Sequence, residues 1–129
     1  MKLYEAKIVY DAKPGIDYLF DNAKAVYDFA RNNVYNDLDP TKEHFVVYAL
    51  CRKNKLITYN VISTGSTSQC LVDMKQIFKF LFLSSASAFI ATHNHPSGSV
   101  DPSSGDNRIT RELRKASNIL SIEFLDHII

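Results

Sequence analysis

Two of the four histidines in this 129-residue chain sit in Thr92-His93-Asn94-His95-Pro96-Ser97-Gly98, at the end of an apolar stretch. If that stretch is a strand running through the pair, its alternation points both imidazoles to one face. Paired imidazoles at the C-terminal edge of a strand make half of a metal site. Ser103 lies eight residues beyond His95, and Asp106 three beyond Ser103. A helix starting at Ser103 would hold Asp106 in its first turn, from which the carboxylate can reach back to the imidazoles. Two imidazoles, a carboxylate and water in the fourth position compose an open, catalytic zinc site. The competing reading is a surface loop whose polar side chains only cap and solvate.

Such a cluster needs a strand, a turn and a helix to position it. Residues 88–92 are apolar on both faces, as in a central strand. Residues 93–102 form a Pro/Gly/Ser/Asn-rich loop, and Ser103 or Ser104 can cap the helix that follows. In that helix Ile109, Leu113, Ala116 and Leu120 are spaced to face inward, with Arg108, Arg111, Arg114 and Lys115 largely outside. Residues 122–129 read as a last strand.

Upstream, residues 44–51 and 56–64 are β-rich runs around a polar turn, a hairpin. Residues 65–68 are a loop. Asp73 opens a helix with Met74, Ile77, Phe78, Leu81 and Phe82 at core-facing spacing. Residues 3–10 are rich in β-formers and predict a first strand, and Pro14-Gly15 a turn. Residues 21–34 predict a helix with Asp21 as N-cap and Ala23, Val26, Tyr27, Ala30 and Val34 on one face. The order β-α-β-β-α-β-α-β predicts an α/β single-domain fold, a layered mixed β-sheet flanked by helices. Residues 1–42 are expected to pack with residues 43–129 as one unit.

Composition narrows the classes. Fifteen Lys+Arg against fourteen Asp+Glu give a net charge of +1. The balance is even: residues 1–42 carry six basic and seven acidic side chains, residues 43–129 nine and seven. A protein that binds nucleic acid through phosphates carries a basic face, and composition offers none. The Arg/Lys set on the last helix is most simply a solvated face. No apolar run approaches a membrane span, and the N-terminus has no signal-peptide pattern, so a cytoplasmic location and no membrane partner are expected. Cys51 and Cys70 read as free thiols. The chain ends on an apolar, strand-like note, as if cut short before a last strand.

The pattern His93-x-His95-x7-Ser103-x2-Asp106 resembles the JAMM (MPN+) metalloprotease motif. The wording around His93 and the later Leu125-Asp126-His127-Ile128-Ile129 are similar to the RadC-like branch of that JAB-domain superfamily. The resemblance runs from about Glu43 to the chain end, and it departs from the branch at Ser99-Val100-Asp101-Pro102, where an Asp-Pro-Thr-Pro-Ser-like loop is more usual. It implies a JAB/MPN (cytidine-deaminase-like) fold and one zinc ion, with His93, His95 and Asp106 as ligands. It further implies that Ser103 hydrogen-bonds the tetrahedral intermediate or the catalytic water, and that Glu43 is the general base.

The activity so implied is zinc-dependent cleavage of peptide or isopeptide bonds, with a protein or peptide substrate. The alternative is a DNA-repair-associated or mobile-element accessory, since the branch carries a DNA-repair name, with a metal but no peptidase role. Of the remaining polar residues, His127 is expected to be structural or, with Asp126, to orient a ligand. His44 should alternate to the face away from Glu43 and lie at the surface. Asn94 and Ser97 could shape the loop. Oligomeric state is left open.

Overall fold

The computed structural model describes residues 1–13, 15, 17–65 and 72–129. Pro14, the loop at residues 66–68 and Cys70 lie outside the described residues.

β1 (His44–Leu50) is buried at every position. Phe45, Val47 and Ala49 belong to one core cluster and Val46, Tyr48 and Leu50 to another. A strand apolar on both faces must sit inside a sheet covered from both sides. β1 does so: it pairs antiparallel with β2 (Leu56–Thr64) and with β3 (Ala88–His93). β4 (Glu123–Ile128) runs parallel to β3, giving the order β2-β1-β3-β4. A parallel neighbour needs a crossover. α3 (Ser104–Leu120) supplies it.

α2 (Met74–Leu83), capped by Asp73 as predicted, and α3 cover the face that carries Phe45, Phe89 and Phe124. The N-terminal helix covers the other face, placing Val26, Phe29, Ala30 and Val34 against Val46, Tyr48 and Ile90. The predicted layered α/β architecture with a mixed sheet is what forms. No helix among the described residues is long and apolar enough to cross a membrane.

Several local expectations differ from the structure. Residues 3–10 are not in a strand and are exposed throughout. Strand propensity is realised only against a neighbouring strand, and no strand of the sheet pairs with this segment. α1 (Ala23–Phe29) is capped by Asn22, whose side chain accepts from the Ala25 N–H at 2.9 Å, rather than by Asp21. The helix then widens into a π-helical turn at Ala30–Val34 and tightens at Tyr35–Asp37. Phe29 turns inward in place of Ala23 and Tyr27. At the ends of α2 and α3, Phe82 and Leu120 are exposed. Ser117 is buried instead, its hydroxyl donating to the Leu113 carbonyl at 2.6 Å.

Candidate metal centre

Sheet register brings the site together. Phe45 of β1 is paired with His93 of β3, so Glu43, just before β1, falls beside His93 on the α3 face. Glu43 Oε2 lies 3.3 Å from His93 Nε2, and both residues are buried. The main chain around Glu43 is clamped. Asn94 Nδ2 donates to the Lys42 carbonyl at 2.8 Å, and Asn94 Oδ1 accepts from the His44 N–H at 2.7 Å. The Glu43 carbonyl accepts from the Gly65 N–H at 2.8 Å.

After β3 the chain reverses, with the Gly98 N–H donating to the His95 carbonyl at 2.9 Å. Gly98 has φ of 81°, a left-handed conformation that other residues adopt only under strain. This turn brings the Ser99 carbonyl to His95 Nδ1 at 3.1 Å. A carbonyl can only accept, so Nδ1 donates to it and Nε2 is turned toward the cluster. That is how proteins orient metal-binding imidazoles.

Asp106 sits in the first turn of α3 within a reciprocal cap. Ser103 N–H donates to Asp106 Oδ2 at 2.8 Å, and Asp106 N–H donates to Ser103 Oγ at 3.1 Å. The carboxylate also faces both imidazoles, with Oδ1 3.0 Å from His93 Nδ1 and Oδ2 3.0 Å from His95 Nε2. Burial pushes the Asp106 carboxyl up. The Ser103 N–H and hydroxyl and the neighbouring His93 and His95 outweigh that, so it sits below the usual carboxylate range.

This geometry suits a cation. One donor atom each from Glu43, His93 and His95 lie within 4.8 Å of one another, a cluster able to hold a metal ion. Asp106 is outside that trio yet touches both rings. Among the described residues His93 Nδ1 is buried without a hydrogen bond, although Asp106 Oδ1 lies 3.0 Å away. At His95 the ring nitrogen Nε2 faces an Asp106 carboxylate oxygen at 3.0 Å. Two lone pairs repel at that distance unless a proton or a metal ion lies between them. The donor set, imidazole and carboxylate, is one that divalent metal ions such as zinc accept.

His127 backs the cluster. Its ring stacks near that of His93, with centroids 6.3 Å apart and planes at 14°. Thr110 Oγ1 donates to the Asp106 carbonyl at 3.0 Å and meets His127 Nδ1 at 2.8 Å. The hydroxyl's one proton is committed to Asp106, so His127 Nδ1 donates to it, leaving Nε2 buried without a partner among the described residues. Burial, reinforced by His93, lowers the His127 pKa from 6.5 to about 4. The neutral ring therefore stabilises the fold above pH 6.5, and that contribution is lost as pH falls toward 4, because the unfolded chain binds the proton first. Between pH 7 and pH 5 the metal-free protein should lose about 2 kcal/mol more stability than His127→Phe. Urea titrations of both proteins at the two pH values check this, and equal losses would remove His127 as the titrating group.

The structure thus gathers His93, His95, Asp106 and Glu43. Ser103 stands beside them as the cap of α3, its hydroxyl oxygen accepting from the Asp106 N–H. His44 is on the opposite face, as its alternation required, but is buried there rather than at the surface. Its ring nitrogens meet Thr64 Oγ1 at 2.9 Å and the Asp39 carbonyl at 2.8 Å. The clamp by Asn94 was not legible, because its partners lie 52 and 50 residues upstream. On α3, Arg114 lies over the Phe124 ring, 5.2 Å from its centroid, so the basic set is not uniformly solvated.

Residues 20–129 match the family model for the RadC-like JAB domain. A UPF0758 protein of Chlorobaculum tepidum is 38% identical over 107 residues, 83% of this chain and 47% of that protein. A UPF0758 protein of Coprothermobacter proteolyticus is 47% identical over 88 residues, 68% of this chain and 37% of its own length. The chain spans about half or less of the length of these curated relatives. A match over so much of the chain, on a fold that assembles the motif residues into one buried cluster, establishes that the chain belongs to the RadC-like JAB domain family.

Proposed function

We propose that the chain is a zinc-dependent hydrolase of peptide or isopeptide bonds, with His93, His95 and Asp106 holding the metal and Glu43 acting as general base. The observation that carries this reading is one charged carboxylate, Asp106, meeting two imidazoles at 3.0 Å, with a second buried carboxylate, Glu43, beside His93. Zinc held there would supply a Lewis acid for the scissile carbonyl and lower the pKa of water to about 7. Glu43 takes the proton of the attacking water and hands it to the leaving amine. Its fixed main chain holds the carboxylate in position for both transfers. Ser103 donates its hydroxyl proton to the oxyanion that develops on the substrate. Three protein ligands would leave one position open, whereas a structural zinc is normally closed by four.

The balanced charge supports a protein or peptide substrate over direct nucleic-acid binding. A reducing, cytoplasmic setting suits the free Cys51. The test is metal analysis of the purified protein joined to a peptide and isopeptide cleavage screen. About one zinc per chain is expected, with cleavage that stops on chelation and returns on adding zinc. Absence of bound metal would refute the reading. DNA binding at moderate salt with a steep salt slope would favour the accessory role instead.

A further inference from the structure

Beside the cluster, a cavity of about 400 Å³ opens between the N-terminal helical segment and the His93–His95 end of β3. Ala30, Tyr35, Leu38, Pro40 and Ile128 make its walls largely apolar, and His95 and Asn94 stand in its lining. That volume is in the range of ligand sites and admits a large side chain with its flanking main chain. Among the described residues, Arg31 is the one charged Lys, Arg, Asp or Glu side chain in the lining. It is exposed and makes no ion pair among the described residues. The nearby acid on its own helix, Asp28, is taken by Lys24 at 2.6 Å. An apolar trough that abuts a motif imidazole and carries one unspent cation has a definite chemical complement.

We infer that this groove selects the substrate: it takes a large apolar side chain next to the scissile bond, while Arg31 pairs with a carboxylate close by on the same peptide. The inference rests on the hydrolase reading and names the substrate class for it. Apolar burial supplies most of the discrimination, because removing a large apolar side chain from a fitted pocket costs about tenfold or more. Arg31 is exposed, so its ion pair adds only about three- to fivefold, and salt screens it. The carboxylate has two possible sources, an acidic side chain or the free C-terminus of a peptide.

Fluorescence anisotropy of labelled peptides on zinc-loaded Glu43→Gln protein, which cannot turn them over, tests the groove. The probes are Gly-Gly-Phe-Asp-Gly-Gly-amide, its Ser-for-Phe and Asn-for-Asp counterparts, and Gly-Gly-Phe ending in a free carboxylate. The first should bind about tenfold more tightly than the Ser peptide and about three- to fivefold more tightly than the Asn peptide. Tight binding of the last probe would assign the carboxylate to a C-terminus, and weak binding to an acidic side chain. Adding Arg31→Glu should erase the preference for Asp over Asn and keep that for Phe over Ser. Equal affinities across the probes, or preferences unchanged by Arg31→Glu, overturn the inference. So does a concentration-dependent dimer in light scattering that Leu38→Asp abolishes, since a second copy would then occupy the groove. Because binding is read rather than turnover, a chain that discriminates these peptides yet cleaves nothing fails the hydrolase reading and keeps the groove. One that cleaves without preference does the reverse.

Discussion

Glu43→Gln protein is expected to keep its zinc and to lose hydrolysis by roughly 10²–10⁴-fold, the range of a general acid–base contribution. The substitution preserves shape, and the clamps on the main chain by Asn94 and Gly65 are untouched. It removes only the ability to accept a proton. Metal content then separates two roles open to this side chain. Glu43 lies within the trio able to hold a metal ion, so it could serve as ligand or as base. Retained zinc with lost turnover assigns it as base. Lost zinc would make it a ligand, and activity within a few-fold of the parent protein would end its catalytic assignment. Steady-state rates and metal analysis on one preparation decide among these.

Asp106 should divide its two duties between two variants. In Asp106→Ala both go: the contact with the imidazoles, and the cap on α3, whose loss costs about 1 kcal/mol. Asp106→Asn keeps an oxygen able to accept from Ser103 N–H but discards the negative charge. Zinc should fall to near zero in both variants under dilute free metal. Only Asp106→Ala should lower the urea midpoint of the metal-free protein. Zinc retained in both variants would show that the metal is held elsewhere. Equal destabilisation of both would show that the charge, rather than the hydrogen bond, holds the helix start.

Much of the frame was readable along the chain, because it rests on short-range rules. The hairpin follows from two β-rich runs around a polar turn. α2 and α3 follow from apolar spacing behind Asp73 and Ser103, side chains that cap through hydrogen bonds within three residues. Residues 3–10 have the same β-rich composition as β2 and yet form no strand. A strand's backbone is satisfied by another strand, and composition does not say whether one will be available. His44 was misplaced for a related reason. Alternation gave its face correctly, but burial depended on Asp39, Thr64 and Tyr35 closing over it.

The site divides along the same line. His93, His95 and Asp106 are placed by strand alternation, one turn and one helix cap, all within 14 consecutive positions of the sequence. Their convergence into one cluster was therefore legible from residue type and spacing. Glu43 meets His93 across 50 residues, through the register of β1 against β3 and the Asn94 clamp. The apolar groove with Arg31 exists only because the N-terminal helix packs beside the end of that strand. Covalent neighbours can arrange the groups that would hold a metal. Bringing a distant carboxylate and an apolar groove up to them takes packing of the whole sheet, since only burial between layers holds such remote segments in contact.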